Sequence, residues 1–193
     1  MRSLVALAVA LLLGACTHIA ARPTEEAAIL TAMTFNIRLD LTSDGANAWA
    51  NRKTMVADLI RHEEPAVLGL QEVLLHQKKD LEAALSAYTF VGVARDDGAE
   101  KGEFSPLAFR RDRFTLLESG TFWLSPTSSV PGKAWDAALP RIATWAVLVD
   151  RATGQRIAAL NTHFDHVGTT ARENSAALIS DWSTRRIAAG DEV

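Results

Sequence analysis

Cysteine is nearly absent: Cys16 is the only one among 193 residues. The chain therefore forms no internal disulfide and must be held by a packed core. Excess positive charge is missing too, with 20 Lys and Arg set against 23 Asp and Glu for a net charge of -3. That balance excludes the broad basic field that drives avid, sequence-independent binding to long nucleic acids. The strongest apolar run, Leu4 to Leu13, is too short for an ordinary spanning helix, which needs about 20 residues. No internal repeat or low-complexity tract stands out.

What is present begins with that run. Arg2 precedes it as a charged lead, and Leu13-Gly14-Ala15-Cys16 closes it with small residues before the lone cysteine. This is the pattern of a bacterial lipoprotein signal over residues 1–15, with Cys16 as the lipidated residue. A plain secretory signal with an incidental cysteine is the alternative. Residues 16–28 then read as a tether, and residues 29–193 as one domain. The expected location is the bacterial cell envelope, with the membrane reached through the anchor on Cys16.

Within the domain, 48% apolar content suits a real core, and the two hydrophobic periods alternate as in an α/β fold. Strands are predicted at Ile29 to Arg38, Ala66 to Leu70, Tyr88 to Val93, Phe104 to Arg110, Thr121 to Leu124, Ile142 to Val149 and Arg156 to Asn161. Helices are predicted at Asn51 to His62, Leu75 to Ser86 and Thr170 to Ile187. Met55, Val56, Leu59 and Ile60 supply the buried face of the first. Thr42 to Asn47 reads as a loop, and Ser125 to Pro140, with three prolines, as an ordered surface loop.

Three apolar segments end on polar clusters: M-T-F-N-I-R at Asn36, G-L-Q-E-V at Gln71 and Glu72, and N-T-H-F-D-H from Asn161 to His166. With S-G-T-F-W-L-S and W-D-A-A-L-P-R between them, the order and spacing resemble the endonuclease/exonuclease/phosphatase superfamily of metal-dependent phosphoesterases. The likeness runs from about Thr31 to Ile179 and is nearest to deoxyribonuclease-like and deadenylase-like members. It implies a four-layer α/β/β/α sandwich. The family's later G-D-F-N and S-D-H motifs do not occur before Val193. A partial sandwich lacking the C-terminal strands of the second sheet, with impaired activity, is therefore expected.

The resemblance also assigns roles. Hydrolysis of a phosphate ester needs a cation on the phosphoryl oxygens and an activated water, and hard ions such as Mg2+ or Mn2+ take oxygen ligands. Asn36 and Glu72 would serve that metal. His163 would stand at the phosphate or leaving group, oriented by Glu103, which lies seven residues before Arg110 as in secreted deoxyribonuclease-like members. Arg141, Arg52, Arg172 and Asn161 are the implied substrate contacts. Each has a plainer reading: an exposed acid for Glu72, a solvated turn residue for Glu103, a surface ion pair for any arginine. Asp165 and His166 suggest either an H-x-D-H metal cluster or loop stabilisation, and Trp123 and Trp135 either base stacking or core anchoring. The expected ligand is a phosphorylated small molecule or a short nucleic acid, with no protein partner. The competing function is a non-catalytic envelope lipoprotein that binds a phosphorylated ligand.

Overall fold

The computed structural model describes residues 29–193; the signal segment and the whole tether, Cys16 included, lie outside them. The described part has two sheets. The first has strand order β1-β2-β4-β3, with β1 Ala32–Asn36, β2 Val67–Gln71, β3 Tyr88–Val91 and β4 Leu107–Arg110. The second is the antiparallel ribbon of β5 Phe114–Trp123, β6 Ile142–Asp150 and β7 Arg156–Thr162. Helices α1 Trp49–Glu63, α2 Leu75–Ala84 and α3 Thr169–Ala188 complete it. Among the described residues, no helix is long and apolar enough to cross a membrane.

Strand alternation explains the layering, because successive side chains point to opposite faces. On β2, Leu68 and Leu70 join Val56 and Ile60 of α1 and Leu81 of α2 in one core. Val67, on the other face, packs with Leu107 and Phe109 of β4 against Ala146, Leu148 and Ile157 of the second sheet. The residues between these on β6 and β7, Val147 and Ala158, meet Trp182 of α3. The order is thus helices, sheet, sheet, helix, the sandwich that the sequence implies. β2 carries five buried residues in a row, as a strand covered on both faces should.

The element order agrees with the sequence reading, with three differences. β5 begins at Phe114, not Thr121, because its first half is mostly exposed and shows no apolar alternation. Thr42–Asn47 forms a short 3-10 helix broken at Gly45. On α1, Val56 and Ile60 are buried, whereas Met55 (66% exposed) and Leu59 (41%) face outward. The buried face continues through Trp49 and Ala57 instead. α1 stops at Glu64, whose φ of 44° is left-handed and whose N–H still bonds Ile60 O; Pro65 then forbids continuation.

Candidate active site

β1 and β2 run parallel with Asn36 beside Gln71, so both strands deliver their carboxyl ends to one place, where open α/β sheets present ligand groups. The next residue, Glu72, has φ of 59°. A left-handed glutamate is costly, and the contacts around it hold it there. Asn36 Nδ2 donates to Glu72 Oε1 at 2.8 Å, and the Leu39 N–H donates to Oε2 at 3.1 Å. Arg38, also left-handed at φ 60°, donates its N–H to Asn36 Oδ1. Its carbonyl is gripped by Arg52 Nη2 and Gln77 Nε2.

Burial pushes the Glu72 carboxyl up, but the Asn36 amide, the Leu39 N–H and the charges of His163 and Arg38 outweigh it. Its pKa lies below the ordinary value, and it is a carboxylate at neutral pH. Asn36 and Arg38 also line an open cleft. His163, just beyond β7, is half-buried, and its pKa is lowered by burial and then by Arg141, against the opposing pull of Glu72 and Glu103. The neutral imidazole is favoured. Its Nδ1 is buried and has no hydrogen-bond partner among the described residues.

That bare nitrogen corrects the expectation for Glu103. Its Oε1 pairs with Arg95 Nη2 at 2.8 Å, while Arg110 turns away to Asp112 and Glu64. The seven-residue spacing puts Glu103 in electrostatic reach of His163, yet the carboxylate is engaged elsewhere. Arg95, which the sequence reading passed over, carried no motif to mark it.

The four implied substrate contacts are occupied by the fold itself. Arg52 donates to the carbonyls of Asn47, Ile37 and Arg38, so it shapes the loop behind Asn36. Asn161 is buried between the sheets: Nδ2 donates to Leu70 O and Pro106 O, and Oδ1 accepts from Gln71 Nε2 at 2.7 Å. A Cβ on Gly69 would lie 2.6 Å from that oxygen, so glycine is needed for the amide to reach across. Arg141, 6% exposed, donates from Nε to Asp165 and from Nη2 to His166 Nδ1. Arg172 donates to Asp165 O and Thr169 Oγ1. Among the described residues, Asp165 and His166 belong to no group of three or more His, Cys, Asp or Glu. Asp165 instead accepts the N–H groups of Ala138, Leu139, Val167 and Gly168, which stabilises the loop. Trp123 is a core anchor donating Nε1 to Arg95 O, and Trp135 is partly exposed. Asp136 accepts the N–H groups of Thr170 and Ala171 and so caps α3, which accounts for the W-D-A-A-L-P-R stretch.

The model of the Endonuclease/Exonuclease/phosphatase family matches residues 33–164. The chain belongs to that family. Among solved structures, an endonuclease/exonuclease/phosphatase from Bacteroides vulgatus is 46% identical with a TM-score of 0.80, covering 82% of this chain and 61% of that one. A mannosyl-6-phosphatase from Bacteroides thetaiotaomicron is 40% identical with a TM-score of 0.79, covering 81% and 60%. The human nocturnin catalytic domain with bound sulfate shares the fold at 19% identity and a TM-score of 0.66, covering 84% and 60%. The chain thus spans about three fifths of the length of these relatives. No curated protein sequence matches it.

A hard divalent ion suits this donor set. Glu72 stays ionised with both oxygens oriented; Asn36 turns its Nδ2 to that carboxylate, and its Oδ1, which accepts the Arg38 N–H, keeps a second lone pair. Mg2+ commonly takes one or two carboxylates and fills its other positions with water and phosphate.

Proposed function

We propose that this chain carries the metal-binding and phosphate-facing part of a phosphoesterase that cleaves a phosphomonoester or phosphodiester by water attack. The observation that carries the reading is the Glu72 carboxylate, kept ionised and aimed by Asn36 at the carboxyl ends of two parallel strands, with His163 in its electrostatic field. Mg2+ or Mn2+ held by Glu72 and Asn36 would offset phosphoryl charge and acidify a water. Asn36 and the Leu39 N–H fix the direction of the carboxylate. His163, neutral because of its burial, hydrogen-bonds a phosphoryl or leaving-group oxygen through Nε2. Arg38, exposed and paired only at the surface with Asp44, supplies a further cation at the rim.

The mannosyl-6-phosphatase relative favours a phosphorylated sugar or another small phosphate over a long nucleic acid, in keeping with the net charge of -3. A lipid anchor on Cys16 would place the domain in the cell envelope. The test is release of phosphate from a sugar 6-phosphate and from a phosphodiester, each with Mg2+ and with Mn2+. Metal-dependent release that Glu72→Gln abolishes supports the reading, and release that survives the substitution contradicts it. Metal and phosphate binding with no release would favour the non-catalytic lipoprotein.

A further inference from the structure

Among the described residues, four other than glycine adopt the left-handed backbone: Arg38, Glu64, Glu72 and Trp135. Arg38 and Glu72 build the site, and Glu64 ends α1. Trp135, at φ 52°, serves neither purpose. Its strain is the hardest to accommodate because the side chain is bulky, and such strain persists only where the surroundings enforce it. Two carboxylates do so. Asp136 accepts the Thr170 N–H at Oδ2 and the Ala171 N–H at Oδ1, and a Cβ on Gly168 would lie 2.6 Å from that Oδ1. Further along the same loop Ala138 and Leu139 donate to Asp165, while Arg141 donates to Asp165 and His166. The loop that carries Trp135 is thereby laced to residues 165–171, the segment leaving His163, and Arg141 acts on the charge of His163 itself. The indole is not spent on the core. Trp49 and Trp123 are buried and donate Nε1 to Asp80 and to Arg95 O, and Trp145 and Trp182 lie with ring centroids 6.1 Å apart. Trp135 joins none of the three core clusters and is 37% exposed.

We propose that Trp135 is a specificity-determining residue: its indole is the platform for the sugar ring of a phosphorylated sugar whose phosphate lies at Glu72 and His163. An indole presents a large apolar face with a polar N–H at its rim, and a pyranose matches it with a face of C–H bonds edged by hydroxyls. Binding loses affinity when it must first order a mobile side chain or loop. The tethers that hold Trp135 in its strained backbone fix the platform beforehand, so that cost is small. The proposal rests on the reading that the site takes a phosphorylated sugar.

Fluorine-19 NMR of the 193-residue chain labelled with fluorotryptophan reads each indole separately and needs no turnover; Trp135→Phe assigns the resonance in question. With Mg2+ present, mannose 6-phosphate, chosen after the mannosyl-6-phosphatase relative, is expected to move the Trp135 resonance. Saturating inorganic phosphate is expected to leave it in place. By calorimetry, Trp135→Ala should weaken mannose 6-phosphate about tenfold, near the low end of what stacking on an aromatic face contributes. Inorganic phosphate should bind that variant as it binds the wild type, and Trp135→Phe should recover most of the lost affinity. The resonance shift in the wild type keeps the test valid if the alanine variant does not fold. A Trp135 resonance that stays put while mannose 6-phosphate binds, or that moves equally with inorganic phosphate, overturns the proposal and leaves the phosphate site standing. Absence of binding by both compounds removes the site reading and the proposal together.

Discussion

Asp165 and Glu72 both follow a strand of the sandwich, yet the fold treats them differently. Asp165, with its side chain 1% exposed, accepts from four backbone N–H groups and from Arg141 Nε. Nothing is left over for a ligand. Glu72 receives one amide and one N–H on a left-handed backbone, so its oxygens keep lone pairs to spare, and the neighbouring His163 keeps a bare nitrogen. A charge whose valence is filled holds the structure together, whereas a charge fixed in direction but not saturated is available for chemistry. By that criterion N-T-H-F-D-H divides, with Asn161 and Asp165 serving the fold and His163 left open to the proposed site.

The comparison breaks most visibly at Asp165. Asp165→Ala strands a buried Arg141 and four N–H groups, and a loss of about 3–5 kcal/mol is expected, read as a fall in thermal midpoint. The same residue controls acid behaviour. Burial pushes its carboxyl up, but the Gly168, Ala138 and Val167 N–H groups and Arg141 overcome this and hold it well below the ordinary range. A depressed folded pKa gives stability that is full above the unfolded value near 4 and is lost as pH falls through the folded one. An acid titration of Asp165→Asn should therefore be flatter below about pH 4 than that of the wild type.

Next in size is the clasp between the sheets. Gly69→Ala drives a methyl into Asn161 Oδ1, and about 1–3 kcal/mol of destabilisation is expected in urea unfolding. Glu72→Gln should cost only about 1 kcal/mol, because glutamine keeps one acceptor oxygen for Asn36 or Leu39 and loses the other; a loss as large as that of Asp165→Ala would place Glu72 with Asp165 among the structural charges. Smallest is Glu64→Gly, at the left-handed end of α1. Its side chain is mostly exposed, so relief of strain should raise stability by on the order of 0.5–1 kcal/mol. The two left-handed glutamates would then separate: one dispensable, one kept for its carboxylate.

Much of this was legible in the sequence where periodicity or chain geometry speaks. The continuous apolar run at Ala66 to Leu70 marked a strand covered on both sides, and Pro65 marked the end of α1. Asn36 and Glu72 were found because each terminates such a run. The arginines were not, since a guanidinium's partner is set by tertiary approach: Arg52 reaches back to Ile37 O across the loop, and Arg141 meets Asp165 from another strand. The Glu103 to Arg110 spacing singled out the glutamate but gave no sign of its pairing with Arg95, which sits across the turn. Asn161 looked like a ligand contact because it opens a motif; the absent Cβ of Gly69 was the only hint that it points inward.

The most direct test is a Mn2+ titration of the 193-residue chain followed by electron paramagnetic resonance, beside Glu72→Gln. The account predicts one bound ion in the wild type and loss of that binding in the variant, with folding unchanged. Equal binding by both chains would contradict it, because the carboxylate held by Asn36 would then not be the metal ligand.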